Sequence, residues 1–170
     1  MSNVYMISDL HFGHKNIMKF AGDYRLGETP EENMHLTIEM WNRRINKKDL
    51  VYVLGDCCFS REGFDAIDEL RWRKILVRGN HDEWYSTKAW LEKFESVEGI
   101  VLYKGHWLTH APIHPSELRG RPNIHGHVHH NTVRNGYNEI DKRYVNVSVE
   151  NTDGAPIPFL DIKAGWRGMK

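Results

Sequence analysis

The sequence predicts an α/β fold, and three observations carry that reading. Short apolar runs alternate with amphipathic helical stretches through the first hundred residues, the rhythm of βαβ units. Each apolar run gives way to a cluster of Asp, Asn or His, as expected where an open α/β sheet keeps its ligands beyond the carboxyl ends of its strands. The chain also carries eleven histidines in 170 residues. Histidine is the commonest metal ligand among side chains and the near-neutral proton carrier.

The totals bound the rest. With 40% apolar and 27% charged residues, the composition is that of an ordinary globular chain. Its length suits a single domain over residues 1–170 with a proper core. Lys plus Arg (23) balance Asp plus Glu (23), which argues against a strongly basic nucleic-acid binder and leaves only a local basic patch. The two cysteines, Cys57 and Cys58, are adjacent and make no disulfide framework. No signal segment opens the chain and no apolar run reaches membrane-spanning length, so the expectation is a cytoplasmic protein with no membrane partner. The sequon Asn146-Val147-Ser148 then reads as chance.

Val4 to Ile7 reads as the first strand, and Asp9 and His11 follow it. Their spacing of two points both side chains to one side. Seen alone, the pair is a capping Asp and a surface His. Residues 15–28 read as a short helix and a loop. Thr29-Pro30-Glu31-Glu32 is a strong helix start, and Met34, Ile38, Met40, Trp41 and Ile45 give that helix its core face. Leu50 to Leu54 is the second strand, ending in Gly55-Asp56-Cys57-Cys58. In isolation Asp56 is a turn aspartate. The cysteines could be ligands or redox groups, and packing beside the site is the simpler reading. Residues 63–72 read as a helix. The third strand, Lys74 to Val77, delivers Arg78-Gly79-Asn80-His81-Asp82. Glu83 to Phe94 reads as a helix packing through Trp84, Trp90 and Leu91.

The rhythm then changes. Gly99–Tyr103 and Trp107–His110 read as a hairpin turned at Lys104-Gly105-His106. His110 enters a loop, and Ile124 leads into His125-Gly126-His127-Val128-His129-His130. A polar loop over 131–143, a strand over Tyr144–Val149, a short helix over Pro156–Ile162 and a frayed end complete the reading.

Asp-x-His, Gly-Asp, Gly-Asn-His-Asp, the lone His110 and Gly-His-x-His thus follow five strands in order. This series resembles the calcineurin-like metallophosphoesterase superfamily over nearly the whole chain, as a small member with no room for a cap domain. The resemblance implies a four-layer α/β/β/α sandwich with two metals between the sheet edges. It assigns Asp9, His11 and His129 to the first metal, Asn80, His110 and His127 to the second, and Asp56 to a bridge. Mixed carboxylate, amide and imidazole ligands suit two divalent transition metals, manganese first, with iron, nickel and zinc as alternatives. A water between cations roughly 3.5–4 Å apart would ionise near neutral pH, and the bridging hydroxide would attack phosphorus. His81 would protonate the leaving oxygen or stabilise the charge there, and Asp82 would orient its ring.

Other positions stay open. His14 is a phosphate contact or plain packing. Arg78 neutralises phosphate or pairs with an acid. Lys15, Asn16, Arg25, Arg119 and Arg121 are further candidates for substrate contact. Many relatives carry an acid or arginine a few residues beyond Gly-Asp, and here Arg61 would take that part. His125 and His130 support ligands or lie at the surface, and His35, His106 and His114 carry no signal beyond their type. The expected activity is metal-dependent hydrolysis of a small phosphodiester or phosphorylated molecule, with the diester favoured. A nuclease or nucleic-acid end-processing phosphatase is the alternative enzyme. A non-catalytic metal-bound scaffold is the alternative of another class. The oligomeric state is open.

Overall fold

The computed structural model describes residues 2–166, so the frayed end expected for the last residues lies largely outside them. Strand β1 (Val4–Ile7) leads through α1 (Ile17–Ala21) to α2 (Pro30–Arg44) and β2 (Leu50–Val53). Then come α3 (Arg61–Ala66), β3 (Arg73–Val77), α4 (Thr87–Trp90) and β4 (Val97–Glu98). β1, β2, β3 and β4 run parallel in that spatial order. The second sheet holds β5 (Val101–Tyr103), β6 (His106–Leu108), β7 (Asn123–His125) and β8 (Tyr144–Asn146). Its β5–β6 pair is the expected antiparallel hairpin, and β6, β7 and β8 are parallel. The chain returns as β9 (Ile157–Pro158), antiparallel to β1, and runs into α5 (Phe159–Ala164).

Two apolar layers hold this together. Ile7, Val51, Val53 and Leu76 face Met34, Ile38, Trp41, Phe64 and Trp90, which places α2, α3 and α4 on one face of the first sheet. The alternate residues Met6, Tyr52, Leu54 and Val77 meet Leu108, Ile124 and Val145 of the second sheet, closed at one end by Phe159 and Ile162. The outer face of the second sheet is covered by the segment carrying the helical turn Pro115–Glu117, where Trp107 Nε1 donates to the Leu118 carbonyl at 3.2 Å. The result is the expected α/β/β/α sandwich, with a thin fourth layer.

Helix α2 starts as its sequence dictates. Thr29 Oγ1 accepts the Glu32 N–H at 3.1 Å and Pro30 occupies the first turn. The later helices are shorter than expected, for a tertiary reason. The Asn42 side chain of α2 binds the Glu69 carbonyl and the Arg71 N–H, each at 2.9 Å. It takes over groups that a helix over 63–72 would have used. Beyond β3, Trp90 Nε1 donates to the Asp82 carbonyl at 2.8 Å, while Ser86 caps α4 through the Ala89 N–H. The expected helix over 83–94 is therefore a turn at Asp82–Trp84, an extended Tyr85 and a four-residue helix. Only Trp90 of its expected packing residues is buried; Trp84 is 72% exposed and Leu91 51%.

The two sheets are stitched where β1 and β8 end. The Ser8 N–H donates to the Val147 carbonyl at 2.9 Å, and the Val149 N–H donates to the Ser8 carbonyl at 3.0 Å. This seam brings the carboxyl ends of both sheets to one rim.

Candidate metal centre

Every polar cluster singled out in the sequence opens onto that rim. The loop after β1 zips onto the loop after β2, with the Asp9 N–H donating to the Gly55 carbonyl and the His11 N–H to the Asp56 carbonyl, both at 3.0 Å. Gly79 passes so close that a Cβ there would strike the Asp56 carboxylate. From the other sheet, the Gly126 N–H donates to the His110 carbonyl at 2.8 Å, and the His127 N–H reaches Asp9 Oδ2 at 2.9 Å.

Two groups of side chains form there, Asp9 with His11 and His129, and Asp56 with His110 and His127. Within each group the ligand atoms lie within 4.8 Å of one another, close enough to hold a metal ion. Asp56 stands between them: its Oδ2 is 3.7 Å from His11 Nε2 and 3.4 Å from His110 Nε2. Asn80 joins the second group, its Oδ1 2.9 Å from His110 Nε2. His110 Nε2 also faces His127 Nδ1 at 3.1 Å.

Several features fit a cation and explain little without one. Both ring nitrogens of His11 are buried with no hydrogen-bond partner, an arrangement that costs free energy unless something else binds them. Five of the seven expected ligands, Asp9, His11, Asp56, His127 and His129, have φ between 52° and 70°. Such left-handed backbone is uncommon outside glycine and gathers at functional sites. The tautomers are also set. His110 Nδ1 donates to the Leu54 carbonyl at 2.7 Å, which leaves Nε2 for a ligand. His129 Nδ1 is 2.8 Å from Glu150 Oε1. A second bond that fixes a ligating imidazole is the common pattern in metal sites.

The electrostatics follow from the crowding. Burial works to raise the Asp9 carboxyl, but the His11 imidazole 3.8 Å away, with His110 and His129, holds it well below the usual carboxylate range. Burial works against the charged form of His110, yet the Asp56 and Asp9 carboxylates and the Leu54 carbonyl push it up to about 9. Burial holds His11 low, and takes His14, beside His11 and Arg25, down to about 4. The centre therefore concentrates anionic oxygen and imidazole in one place.

The sequence matches the calcineurin-like phosphoesterase family over residues 2–158. The chain belongs to this family. It is 33% identical over 166 residues to an uncharacterised protein of Methanocaldococcus jannaschii, covering 92% of this chain and 87% of that one. It is 30% identical over 187 residues to the gene 66 protein of Mycobacterium phage L5, covering 88% and 87%. Among solved structures it resembles a protein of unknown function from Aquifex aeolicus, with a TM-score of 0.74, 27% identity, and 96% and 99% of the two chains covered. No helix of the described residues is long and apolar enough to cross a membrane.

The phosphoesterase centre brings together all seven expected ligands, with His81 and His14 beside them. His81 lines a cavity with His11 and His129, and its N–H donates to Asp56 Oδ1 at 3.0 Å. Asp82 does not orient the His81 ring. Its carboxylate accepts the N–H groups of Asp56, Cys57 and Gly79 at 2.7–3.0 Å, so it braces the loops after β2 and β3. Arg78 is likewise spent on the backbone, donating to the carbonyls of Asp82 and Tyr85. Arg61 pairs with Asp65 on the surface and takes no part beside Asp56. Arg25 is buried against Glu150, and Arg119 and Arg121 line a cavity at Trp107 and Leu102, away from these residues. Cys57 and Cys58 are buried packing groups. Burial pushes the Cys57 thiol far up and the Cys58 thiol to about 12. His125 is buried on the Gly126 carbonyl, and His130 stacks on Tyr24.

The sequence reading missed the β8 end. Ser148 Oγ donates to Asp9 Oδ2 at 2.8 Å, and Glu150 holds His129 and Arg25. The one available signal was that Ser148 and Glu150 follow an apolar run, as the other site residues do.

Proposed function

We propose that this phosphoesterase works as one domain over residues 1–170 and hydrolyses phosphodiesters with two divalent cations. Asp9, His11 and His129 hold one cation, Asn80, His110 and His127 the other, and Asp56 belongs to both. The observation that carries this reading is Asp56 Oδ2, placed within 4 Å of an imidazole nitrogen from each group. When bound, two such cations activate water and offset the charge of a phosphate. The mixed oxygen and nitrogen donors favour manganese, with iron, nickel and zinc as alternatives.

The chain's own residues do the rest. His81 stands at the open side of the centre, not committed as a ligand, and its backbone is fixed by Asp56. It gives a proton to the departing oxygen as the P–O bond breaks, so that the alcohol leaves neutral. Asp82 acts at one remove, because its three backbone hydrogen bonds fix the loops that carry Asp56 and His81. An open rim, with no cap among the described residues, admits a phosphate that bears two ester arms.

The test is hydrolysis of bis-p-nitrophenyl phosphate against p-nitrophenyl phosphate with added Mn²⁺. Diester preference, loss on chelation, and a fall of at least ~100-fold for His81→Ala are expected, the scale of one general acid. Asp56→Asn should lose more, since it strips both cations of a shared ligand. Activity indifferent to chelator would overturn the mechanism, and a monoester preference would overturn the substrate class.

A further inference from the structure

The rim next to the first ligand group is lined with aromatic rings that the chemistry described so far does not use. A cavity of about 350 Å³ runs from His11, His129 and His81 out past Phe59 to Phe20 and His130. The Phe59 ring lies 4.7 Å from His11 at 19°, and 4.5 Å from His14 at 24°. His14 in turn stacks toward Phe20, 6.2 Å away at 22°. His11 and His14 are themselves 5.5 Å apart and tilted by 42°, so the three rings form a cluster beside a ligand group, and Phe20 carries it to the surface. Phe20 lies on α1 and is 70% exposed. His130 lines the same cavity and is backed by Tyr24, 4.2 Å away at 6°.

An exposed Phe is ordinary by itself, but Phe20 borders an aromatic cluster that lines a cavity over the ligand groups, and such a patch marks a binding site. A flat partner suits it, since the exposed Phe20 ring offers a face for stacking. The partner must also be attached to phosphate, because the cavity opens onto His81, His11 and His129. Asn131 lines the same cavity and carries an amide donor and acceptor. Nucleobases are flat, carry polar edges, and stack on aromatic side chains with little regard to sequence. A long basic groove would suit a polymer, but the side chains lining this cavity include no Lys or Arg.

We propose that this cavity is a nucleobase subsite, in which a base carried on one ester arm stacks on Phe20 while its phosphate sits at the histidines beyond Phe59. It rests on the phosphodiesterase reading above and narrows the substrate to small base-bearing diesters such as cyclic nucleotides or dinucleotides. Phe20 is the specificity-determining residue, since Phe59 is also packed on His11, His14 and His81.

Calorimetric titration of the Mn²⁺-loaded and the chelator-treated protein with 5′-AMP and with ribose 5-phosphate tests the subsite without turnover. AMP should bind at least ~5-fold tighter, the lower end of one base–aromatic stack. That ratio should fall toward one in Phe20→Ala and recover in Phe20→Tyr. Because Phe20 is exposed, both variants should keep the wild-type circular dichroism and melting temperature. With turnover, adenosine 2′,3′-cyclic phosphate should show a lower KM than glycerol 1,2-cyclic phosphate, and Phe20→Ala should narrow that gap. Equal binding of AMP and ribose 5-phosphate, or an AMP preference untouched by Phe20→Ala, overturns the subsite even if bis-p-nitrophenyl phosphate is hydrolysed. If no diester is turned over, the phosphodiesterase reading fails, and the binding ratio still decides the subsite.

Discussion

Glu150 shows how a residue outside every motif comes to govern a ligand. Its Oε1 meets His129 Nδ1 at 2.8 Å and accepts Arg25 Nε at 2.9 Å and Nη2 at 2.7 Å. Arg25 also donates to the Asp9 carbonyl at 2.7 Å, so one buried ion pair ties the ends of β1 and β7 together. Neither side chain of the pair is exposed to solvent. Removing one partner from such a pair costs about 3–5 kcal/mol, because the other charge stays buried. Loss of the bond that orients a ligating His weakens metal binding by ~10–100-fold. Glu150→Gln should therefore lower the melting temperature and weaken Mn²⁺ binding by that factor in calorimetry. An unchanged Mn²⁺ affinity would make Glu150 structural only. The sequence could not reveal the pairing, since Arg25 and Glu150 lie 125 residues apart with no pattern joining them. Asp9 and His11 were legible for the opposite reason. They sit two apart directly after an apolar run, although both lie beyond β1 in left-handed backbone, so the loop and not the pleat of a strand sets their direction.

At the scale of elements, what proved legible was the rule that polar clusters follow strands. What did not was the length of the pieces between them. Helix α3 ends early where Asn42 of α2 claims backbone groups beyond it, and α4 starts late where Ser86 caps it and Trp90 holds the Asp82 carbonyl. The strands β4 and β9, two residues each, are too short to show a period. Close approach between loops was equally invisible. Gly126 passes the end of β1 so tightly that a Cβ would collide with Ser8 Oγ and Asp9 Oδ2. Gly126→Ala should thus push the β7 loop, with His127 and His129, away from Asp9. Overpacking of this kind typically costs about 1–3 kcal/mol. The chain should still fold, with a lower melting temperature, while Mn²⁺ binding falls by more than 10-fold. Wild-type Mn²⁺ affinity in a folded Gly126→Ala protein would mean that the loop yields without moving its ligands.

Taken as one molecule, the sandwich divides the centre between its sheets. The first sheet supplies Asp9, His11, Asp56 and Asn80 from the ends of β1, β2 and β3, and the second supplies His110, His127 and His129 from β6 and β7. Cations held by both sheets would link metal binding to folding, since they would bind the native arrangement and not the unfolded chain. A ligand at about 100 times its Kd adds about 2.7 kcal/mol. For a chain of this size each kcal/mol moves the melting temperature by roughly 2–4 °C. Mn²⁺ should then raise the melting temperature of the chelator-treated protein by several degrees. The strained backbone at Asp9, His11, Asp56, His127 and His129 persists only where the surroundings over-determine it, and bound cations would join those surroundings. The two ligand groups can be told apart by which shift survives. His127→Ala removes a ligand from the second group alone, so it should keep one Mn²⁺ per chain and part of the thermal shift. Asp56→Asn touches both groups through one oxygen and should lose most of the shift and both ions at the same Mn²⁺ concentration. Equal stoichiometry in the two variants would mean that Asp56 serves a single ion, and that the sheets meet at two separate sites.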